Sequence, residues 1–426
     1  MSSSLQSFLL PGSIAVVGAG DRASSSGGAV LRNLIRSGYA GRIVPVNPKG
    51  GELLGLPVAR TLAEVSPPCE LAVVVVRPDL ILEVAREAAE SGHRNLLVLP
   101  GGFAEGGEEG KARDRALRTL CDTHGLRVAG PNCAGLINLL DLARPCAATF
   151  YRDLPRGGGV GLISQSGAIA EEAIAASHRL GIPLGAVVSV GNAMQLGIAD
   201  YLEHLGDDPA CRVILLYTET VGTDSRLREA ARAVAARKPI VALIGGRTPA
   251  GRAAAHRHTG SSAPTAADAA AFCSDAGIAR VTSLREMLLA AKALAAHPRG
   301  IGPRVLLLSN SGGPGVLCTD RCVEEGLQMP ALPPALAERL RTLYPPEAVV
   351  ANPLDLLADA REDRFGETLR TAIEQGGSTY DAILMIHVVP FMVDADAVVE
   401  RLAEVAQASP LPLLHAMMGT LERKDT

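Results

Sequence analysis

Residues 13–34 read SIAVVGAGDRASSSGGAVLRNL and contain the pattern that recurs along the whole chain. The apolar start of this stretch has the length and the β-branched content of a buried strand. Gly18 and Gly20 allow a tight turn to leave that strand, and Gly27 and Gly28 open a segment with apolar residues at helical spacing. The free N–H groups at the start of such a helix could hold a phosphate.

The same alternation of short apolar runs and amphipathic segments continues to the C-terminus, with glycines at the transitions. Such alternation is typical of β-α repeats built on parallel sheets. We therefore predict an α/β protein with three consecutive parallel-sheet units, over residues 8–145, 155–297 and 302–426. The polar stretches 151–159 and 295–303 separate them. The third series stops just after a strand, so we expect that unit to be incomplete.

The composition excludes several functional classes. The chain has 426 residues, a net charge of −4, 47% hydrophobic residues and only 3% aromatic residues. No basic block or aromatic surface points to nucleic acid, and no apolar run is long enough for a membrane span or a signal peptide. The eight cysteines contain no CxxC pair, which disfavours a zinc site or a disulfide framework. We expect a cytoplasmic protein with reduced thiols.

The first turn favours a phosphorylated adenine nucleotide such as CoA over NAD. The sequence is not a regular GxGxxG, because Ala23 occupies the third glycine position. A nicotinamide-binding protein would also have an acidic residue closing the second strand, where it binds the ribose hydroxyls. Here that strand closes as Val46-Asn47-Pro48-Lys49, and a lysine attracts phosphate.

A second strand-to-helix turn, Ser164-Gln165-Ser166-Gly167, offers hydroxyl and backbone N–H groups to an anion. A serine nucleophile elbow would need glycine two positions before the serine, and neither serine has it. A simple helix cap would need only one serine. The cluster therefore favours phosphate binding, with a plain cap as the alternative.

Residues 245–265, GGRTPAGRAAAHRHTGSSAPT, contain His256 and His258 among small residues, and we predict a loop. No cysteine or carboxylate lies nearby at metal-ligand spacing, so no metal site is expected. A general base, a nucleophile and a solvated side chain all remain compatible with this pattern.

Several motifs taken together resemble one family, the α-subunit region of ADP-forming acetate–CoA ligases and other NDP-forming acyl-CoA synthetases, relatives of succinyl-CoA synthetase. The resemblance covers almost the whole chain, in the family's order. Its elements are VVGAGD (16–21), VNPK (46–49), GFAEGG (102–107), GPNCAG (130–135), ISQSGA (163–168), VGN (190–192), LYTE (216–219), GRTPAGRAAAHRHTG (246–260), NSGGPG (310–315) and NPLD (352–355).

The resemblance implies a Rossmann-like CoA-binding domain followed by two flavodoxin-like domains of the succinyl-CoA-synthetase type. The histidine of the family's S-H-T-G motif matches His258, which would carry a phosphoryl group, whereas His256 has no counterpart. The family's glutamate at a strand end matches Glu219, which would orient that histidine and stabilise its phosphorylated form. Arg257 replaces the motif's serine, a departure that leaves the histidine intact.

The resemblance also implies binding residues. The phosphate beside the histidine would lie in the cradle of Ser164, Gln165, Ser166 and Gly167. Asn132 would sit near the CoA thiol and acyl group. The remaining contacts to CoA would come from Gly18, Ala19, Asp21, Lys49, Val76 and Pro78. Cys133 is interpreted as a packing residue and not as an acyl carrier.

The implied activity is that of an acid–thiol ligase that joins a small carboxylic acid to CoA through an acyl phosphate and a phosphohistidine. The family handles ATP, ADP and Mg²⁺ in an ATP-grasp module, which does not follow here, so a β subunit or a fused module would be the partner. An oligomer is expected. Two alternatives remain: a CoA-sensing regulatory region like that of some protein lysine acetyltransferases, and a CoA- or nucleotide-binding protein without chemistry.

Overall fold

The computed structural model describes residues 5–22, 24–221, 225–259, 264–298, 300–346 and 348–419, without the side chains of 257–259. Its chain forms two compact units, Met1–Pro298 and Arg299–Thr426. The prediction of an α/β protein with three sheets of mainly parallel strands is confirmed.

The first sheet has five parallel strands in the order β2-β1-β5-β6-β7. Its strands, with a short antiparallel hairpin β3-β4 beside them, are β1 (Ser13–Val17), β2 (Arg42–Val46), β3 (Glu52–Leu53), β4 (Leu56–Pro57), β5 (Leu71–Val74), β6 (Asn95–Val98) and β7 (Arg127–Ala129). The helices of this region are α1 (Gln6–Leu9), α2 (Ser26–Arg36), α3 (Ile81–Glu90) and α4 (Gly107–His124). The strand order reverses between β1 and β5, and in open α/β sheets ligands bind at the carboxyl ends of strands at such a point.

The second sheet has seven strands in the order β14-β13-β12-β10-β11-β8-β9. These strands are β8 (Gly135–Asn138), β9 (Cys146–Thr149), β10 (Val160–Ser164), β11 (Leu184–Ser189), β12 (Val213–Thr218), β13 (Ile240–Ile244) and β14 (Ala279–Val281). Its helices are α5 (Gly167–Leu180), α6 (Ile198–Asp207), α7 (Ser225–Ala235), α8 (Pro249–Thr259), α9 (Ala266–Ala276) and α10 (Leu284–Ala296).

The hairpin β8-β9 extends the second sheet and pairs antiparallel with β11. The expected boundary at residue 145 therefore falls between two strands of one sheet. Helix α2 of the first layer is tied to this hairpin, because the buried Asn33 amide donates hydrogen bonds of 2.8 Å to the carbonyl oxygens of Thr149 and Tyr151. One hydrophobic core also runs from Ile14 in β1 to Val188 in β11. The division of this unit into two domains stays a proposal.

The second compact unit has one parallel sheet with the order β16-β15-β17-β18. Its strands are β15 (Val305–Ser309), β16 (Leu354–Asp355), β17 (Ala382–Val388) and β18 (Leu413–Met418). Its helices are α11 (Gly312–Glu324), α12 (Pro334–Arg341), α13 (Glu362–Gly376) and α14 (Ala395–Gln407). Leucines and alanines from α12, α13 and the strands form its main core.

The loop predicted over residues 245–265 is wrong in part, because Pro249–Thr259 is helix α8. Three consecutive alanines precede His256, and alanine has the highest helix propensity. Pro249 opens the helix, where its missing N–H costs nothing, and the Thr248 hydroxyl accepts a hydrogen bond from the Gly251 N–H at 3.0 Å. Gly245, Gly246 and Thr248 precede this helix, and Gly251 lies in its first turn.

Candidate active site

A cleft of about 770 Å³ opens at the carboxyl ends of β1 and β5, where the strand order of the first sheet reverses. The turns that follow β1, β5, β6 and β7 line one side. The other side is formed by the start of α5 and by residues next to β9 and β11. The lining includes Gly18, Arg22, Gly27, Val76, Arg77, Gly101, Asn132, Cys133, Phe150, Tyr151, Gly167 and Glu171.

The turn after β1 requires glycine at two places. Gly18 has a φ of +88°, and a Cβ there would lie 2.4 Å from the carbonyl oxygen of Val75. A Cβ on Gly27, in the first turn of α2, would lie 2.2 Å from the carbonyl oxygen of Gly18. Ser25 caps α2 by accepting a hydrogen bond from the Gly28 N–H at 3.1 Å. The start of α2 is thereby held directly against the strand end.

The predicted CoA-binding residues fall into two groups. Gly18, Val76 and Asn132 line the cleft. The others lie around it: Ala19 is fully buried, Asp21 and Lys49 are exposed, and Pro78 packs 3.2 Å from the position of a Cβ on Gly102.

The side chain of Asn47 holds Ala19 and Lys49 in place, a role that the sequence analysis did not identify. Its Nδ2 donates to the carbonyl oxygen of Ala19 at 2.7 Å, and its Oδ1 accepts from the Lys49 N–H at 3.0 Å. The sequence analysis also missed two arginines. Arg22 and Arg77 line the cleft, where a guanidinium can bind a phosphate, and Arg77 pairs with Asp79 at 2.9 Å.

The turn between β10 and α5 uses its serines mainly for its own structure. Ser164 is fully buried, and its hydroxyl donates to the carbonyl oxygen of Ser166 at 2.7 Å and accepts from the Ser166 N–H at 3.1 Å. The Ser166 hydroxyl caps α5 by accepting from the Ile169 N–H at 3.3 Å. Gly167 alone of the predicted cradle lines the cleft, where it presents the start of α5.

Gln165 joins this turn to Glu219, which follows β12. The Gln165 Oε1 accepts from the Glu219 N–H at 2.6 Å and from the Thr218 hydroxyl at 2.8 Å. The Tyr217 hydroxyl donates to Glu219 Oε1 at 3.0 Å. Burial and the neighbouring Glu219 carboxylate raise the pKa of Tyr217, so its hydroxyl stays protonated. The carboxylate of Glu219 is therefore fixed in position at the end of its strand.

His258 lies in the last turn of α8, and its side chain falls outside the described residues. The side chain of His256 is the last one of α8 that the structure describes, and it is exposed. A straight helix advances about 1.5 Å per residue, so His258 lies about 13 Å along the axis from Pro249. The predicted pairing of His258 with Glu219 remains a prediction.

Cys133 is 5% exposed, and its Sγ donates to the carbonyl oxygen of Val98 at 3.4 Å. Burial raises the pKa of this thiol to about 12. Since the thiolate is the nucleophilic form, a protonated thiol at neutral pH is suited to packing and not to acyl transfer.

Glu105 and Asn192 are the polar residues closest to Asn132 that the sequence analysis did not assign a role. Asn132 donates from Nδ2 to Asn192 Oδ1 at 3.2 Å, and Asn192 donates from Nδ2 to Glu105 Oε2 at 2.5 Å. Asn132 has a φ of +59°, which asparagine tolerates better than most residues. The motifs GFAEGG and VGN were visible in the sequence, but their contact was not.

Among the described helices, none is long and apolar enough to cross a membrane. The described part of the chain also brings together no group of three or more His, Cys, Asp or Glu side chains that could hold a metal ion.

Comparison with known families assigns all three regions. Residues 12–138 match the CoA binding domain, residues 157–294 the succinyl-CoA ligase-like flavodoxin domain, and residues 305–425 the ligase-CoA domain.

Known relatives align along nearly the whole chain. The α subunit of the ADP-forming acetate–CoA ligase II of Pyrococcus furiosus is 32% identical, over 99% of this chain and 91% of that subunit. The ADP-forming acetate–CoA ligase I of Archaeoglobus fulgidus is 32% identical over 90% of this chain, which spans only 54% of that protein. The dinucleotide-forming acetyl-CoA synthetase 1 of Ca. Korarchaeum cryptofilum, solved with phosphate and ADP, superimposes with a TM-score of 0.89 at 30% identity, over 99% of this chain and 90% of that one. The chain therefore belongs to the α-subunit family of ADP-forming acetyl-CoA synthetases.

Proposed function

We propose that this chain is the CoA-binding and phosphoryl-carrying subunit of an ADP-forming acyl-CoA synthetase. The observation that carries the proposal is the continuity of the cleft. A single cleft joins the glycine turn after β1, with Arg22 and Arg77 nearby, to the start of α5 at Gly167. The first end suits the phosphates of CoA, and the second suits an acyl phosphate.

The chemistry requires three transfers, each of them reversible. A ring nitrogen of His258 attacks the γ-phosphorus of ATP, and ADP leaves. A carboxylate oxygen of the acid then attacks the phosphorus of the phosphohistidine, the P–N bond breaks, and an acyl phosphate forms. The CoA thiolate attacks the carbonyl carbon of the acyl phosphate, the C–O bond to phosphate breaks, and phosphate leaves as the thioester forms. Splitting the condensation in this way is the advantage of covalent catalysis.

The chain's own residues serve these steps by position and charge. The α5 start offers N–H groups to the transferred phosphate, and its dipole stabilises negative charge there. Glu219, held by Gln165 and Tyr217, supplies a fixed carboxylate that would hydrogen-bond the second nitrogen of the His258 ring. Reaching it requires α8 to bring its last turn toward the end of β12.

Nucleotide exchange would take place on a β subunit or ATP-grasp partner with Mg²⁺. The name of the Pyrococcus relative, a subunit α, supports such a partner. A small carboxylic acid would be the other substrate, and an oligomer is the expected assembly. A purely CoA-sensing role is the second candidate, and the ordered carboxylate of Glu219 beside the α5 turn favours catalysis over it.

The test is phosphoryl labelling. The purified chain, mixed with a complementing ATP-grasp subunit and γ-labelled ATP, should gain an acid-labile label. His258→Ala should abolish the label, and the matched control His256→Ala should retain it. Equal labelling of the two variants would sink the assignment of His258. Absence of label in the wild-type mixture, together with retained CoA binding, would favour the sensing role.

A further inference from the structure

Three loops at the carboxyl edges of the first two sheets are joined by a chain of side-chain hydrogen bonds. In the loop after β6, Glu105 Oε1 accepts from the Gly102 N–H at 2.6 Å and the Phe103 N–H at 3.3 Å. Its other oxygen, Oε2, accepts from Asn192 in the loop after β11. Asn192 in turn accepts from Asn132 in the loop after β7.

This series of hydrogen bonds has a direction, because the Glu105 carboxylate at one end can only accept hydrogen bonds. Burial opposes ionisation of Glu105, but hydrogen bonds from Asn192 and from the N–H groups of Gly102 and Phe103 lower its pKa, so it is a carboxylate at neutral pH. Asn192 must then turn its Nδ2 to Glu105 and its Oδ1 to Asn132. Asn132 must donate its own Nδ2 and is left with Oδ1, an acceptor, pointing elsewhere.

Asn132 is one of the residues that line the cleft. A Cβ on Gly101, which also lines it, would come within 2.9 Å of Asn132 Oδ1 and within 2.9 Å of Glu105 Oε1. Building on the proposed function, we propose that Glu105 is a positioning residue that acts through Asn192. It makes Asn132 present a hydrogen-bond acceptor to the thiol end of bound CoA. The groups that fit an acceptor there are an amide N–H of the pantetheine arm or the thiol S–H itself.

The variant Glu105→Gln reverses the direction of the hydrogen bonds between residues 105, 192 and 132 while it keeps the bonds themselves. The backbone N–H groups of Gly102 and Phe103 hold the glutamine Oε1 where the glutamate Oε1 was, so Nε2 faces Asn192. Two amide donors then meet, Asn192 turns over, and Asn132 turns over after it and presents a donor. We expect CoA affinity, measured by calorimetry, to fall about tenfold, the loss of one hydrogen bond. Glu90→Gln, on the exposed end of α3, is the matched control and should bind CoA like the wild type.

Asn132→Asp should also bind CoA weakly, because the carboxylate at 132 then faces Asn192 Oδ1 with no donor between them, and this repulsion displaces the acceptor oxygen from its place at the cleft. The double variant Glu105→Gln/Asn132→Asp should restore binding to within about threefold of wild type, since coupled residues are not additive. In it, residue 105 donates to Asn192 Oδ1 and Asn192 Nδ2 donates to the carboxylate at 132. The cleft again receives an acceptor oxygen. A purely structural role of Glu105 would make the two losses add, and that result would overturn the inference.

Acetyl-CoA, which lacks the S–H, distinguishes the two donors. An equal loss of CoA and acetyl-CoA affinity in Glu105→Gln identifies the amide N–H, and a loss for CoA alone identifies the thiol. Unchanged affinity for both ligands would overturn the inference and leave the proposed function standing. Failure of the wild-type chain to bind CoA would overturn the proposed function, and the inference with it. Melting temperatures of all variants within a few degrees of wild type exclude unfolding as the cause.

Discussion

The turn between β10 and α5 and the turn between β15 and α11 are built in the same way, yet they lie in different units. In the first, the Ser164 hydroxyl donates to Ser166 O at 2.7 Å and accepts from Ser166 N–H at 3.1 Å. In the second, Ser309 makes the same two bonds to Ser311, at 2.7 and 3.1 Å. The serine pair is therefore a device for closing a strand-to-helix turn, wherever it occurs.

The two turns differ in the residue between the serines and in the strand end that this residue contacts. Gln165 accepts from the N–H of Glu219, so the turn is tied to a carboxylate at the end of the neighbouring strand. Asn310 makes the equivalent connection to Val388, accepting from its N–H and donating to its carbonyl oxygen at 2.8 Å each. Val388 therefore occupies the place of Glu219, and its side chain carries no charge. The comparison teaches that the fold supplies the turn and that the neighbouring strand end decides which side chain lies beside it.

The comparison of the two turns depends on whether the Glu219 carboxylate contributes to acyl-CoA synthesis. We expect Glu219→Gln to lower acyl-CoA synthesis with a complementing partner by at least about 10²-fold, since positioned acid–base groups contribute that much or more. Val388→Ala, at the equivalent place in the other unit, should leave the rate unchanged. Equal rates for the wild type and Glu219→Gln would remove the distinction between the two turns.

One glycine of each unit, Gly18 in the turn between β1 and α2 and Gly313 in α11, extends the comparison to stability. Gly18→Ala places a Cβ against the carbonyl of Val75 in a left-handed conformation, and we expect a loss of about 3 kcal/mol in unfolding free energy. Gly313, in the first turn of α11, has nothing within 4 Å of its Cβ position, and Gly313→Ala should stabilise its unit by up to about 1 kcal/mol. Urea denaturation, followed by hydrogen exchange in peptides of each unit, measures the change in unfolding free energy for both variants. A stabilising or a destabilising effect in both variants would contradict the expected difference.

The equivalence of the serine pairs predicts equal costs. Ser164 and Ser309 are both buried, and replacing either by alanine leaves the N–H two residues later without its acceptor. We expect each variant to lose about 1–2 kcal/mol of the free energy of unfolding of its own unit. A difference of more than about 1 kcal/mol between them, in the same exchange measurement, would show that the turns are alike only in geometry.

The smallest effect concerns alkaline pH. The Cys133 pKa is raised from 9.0 to about 12 by burial, so the folded state holds this proton more tightly than the unfolded state does. The stabilisation is fully present below pH 9 and is lost as the pH rises toward 12. Between pH 8 and 10 the loss is about 1.4 kcal/mol. Cys133→Ala should reduce the pH dependence of the first unit by that amount and leave that of the second unit unchanged; identical pH dependence in wild type and variant would argue against it.

Much of the fold was readable because buried parallel strands are short apolar runs bounded by glycine. The turns at Gly18 and Ser164 were found in this way. The assignment of β8 to the second sheet was not, because the run 135–138 has no periodicity that says which sheet it joins. Helix α8 differs from the loop predicted there, because small residues are compatible with both structures and the alanine run 253–255 favours the helix.

In the candidate site, too, some features could be predicted from local sequence, and others depend on the topology. Single motifs such as the SQSG turn could be interpreted from local sequence, and Glu219 came from the family resemblance. The bond between Glu105 and Asn192 spans 87 residues and depends on which loops share an edge of the sheets, which only the topology reveals. For the same reason Arg22 and Arg77, ordinary surface residues in sequence, were not recognised as facing one cleft.

The crossing of β8 and β9 into the second sheet limits how this protein can be recombined. In the continuous stretch 24–221, a cut between residues 130 and 134 is the one that leaves both sheets whole. That segment carries Asn132. A chimera that exchanges the first layer with a homologue would therefore join its two parents inside the cleft. The residues on the two sides of the cleft should therefore be inherited as one block, and a shuffling library should place its crossovers after residue 298.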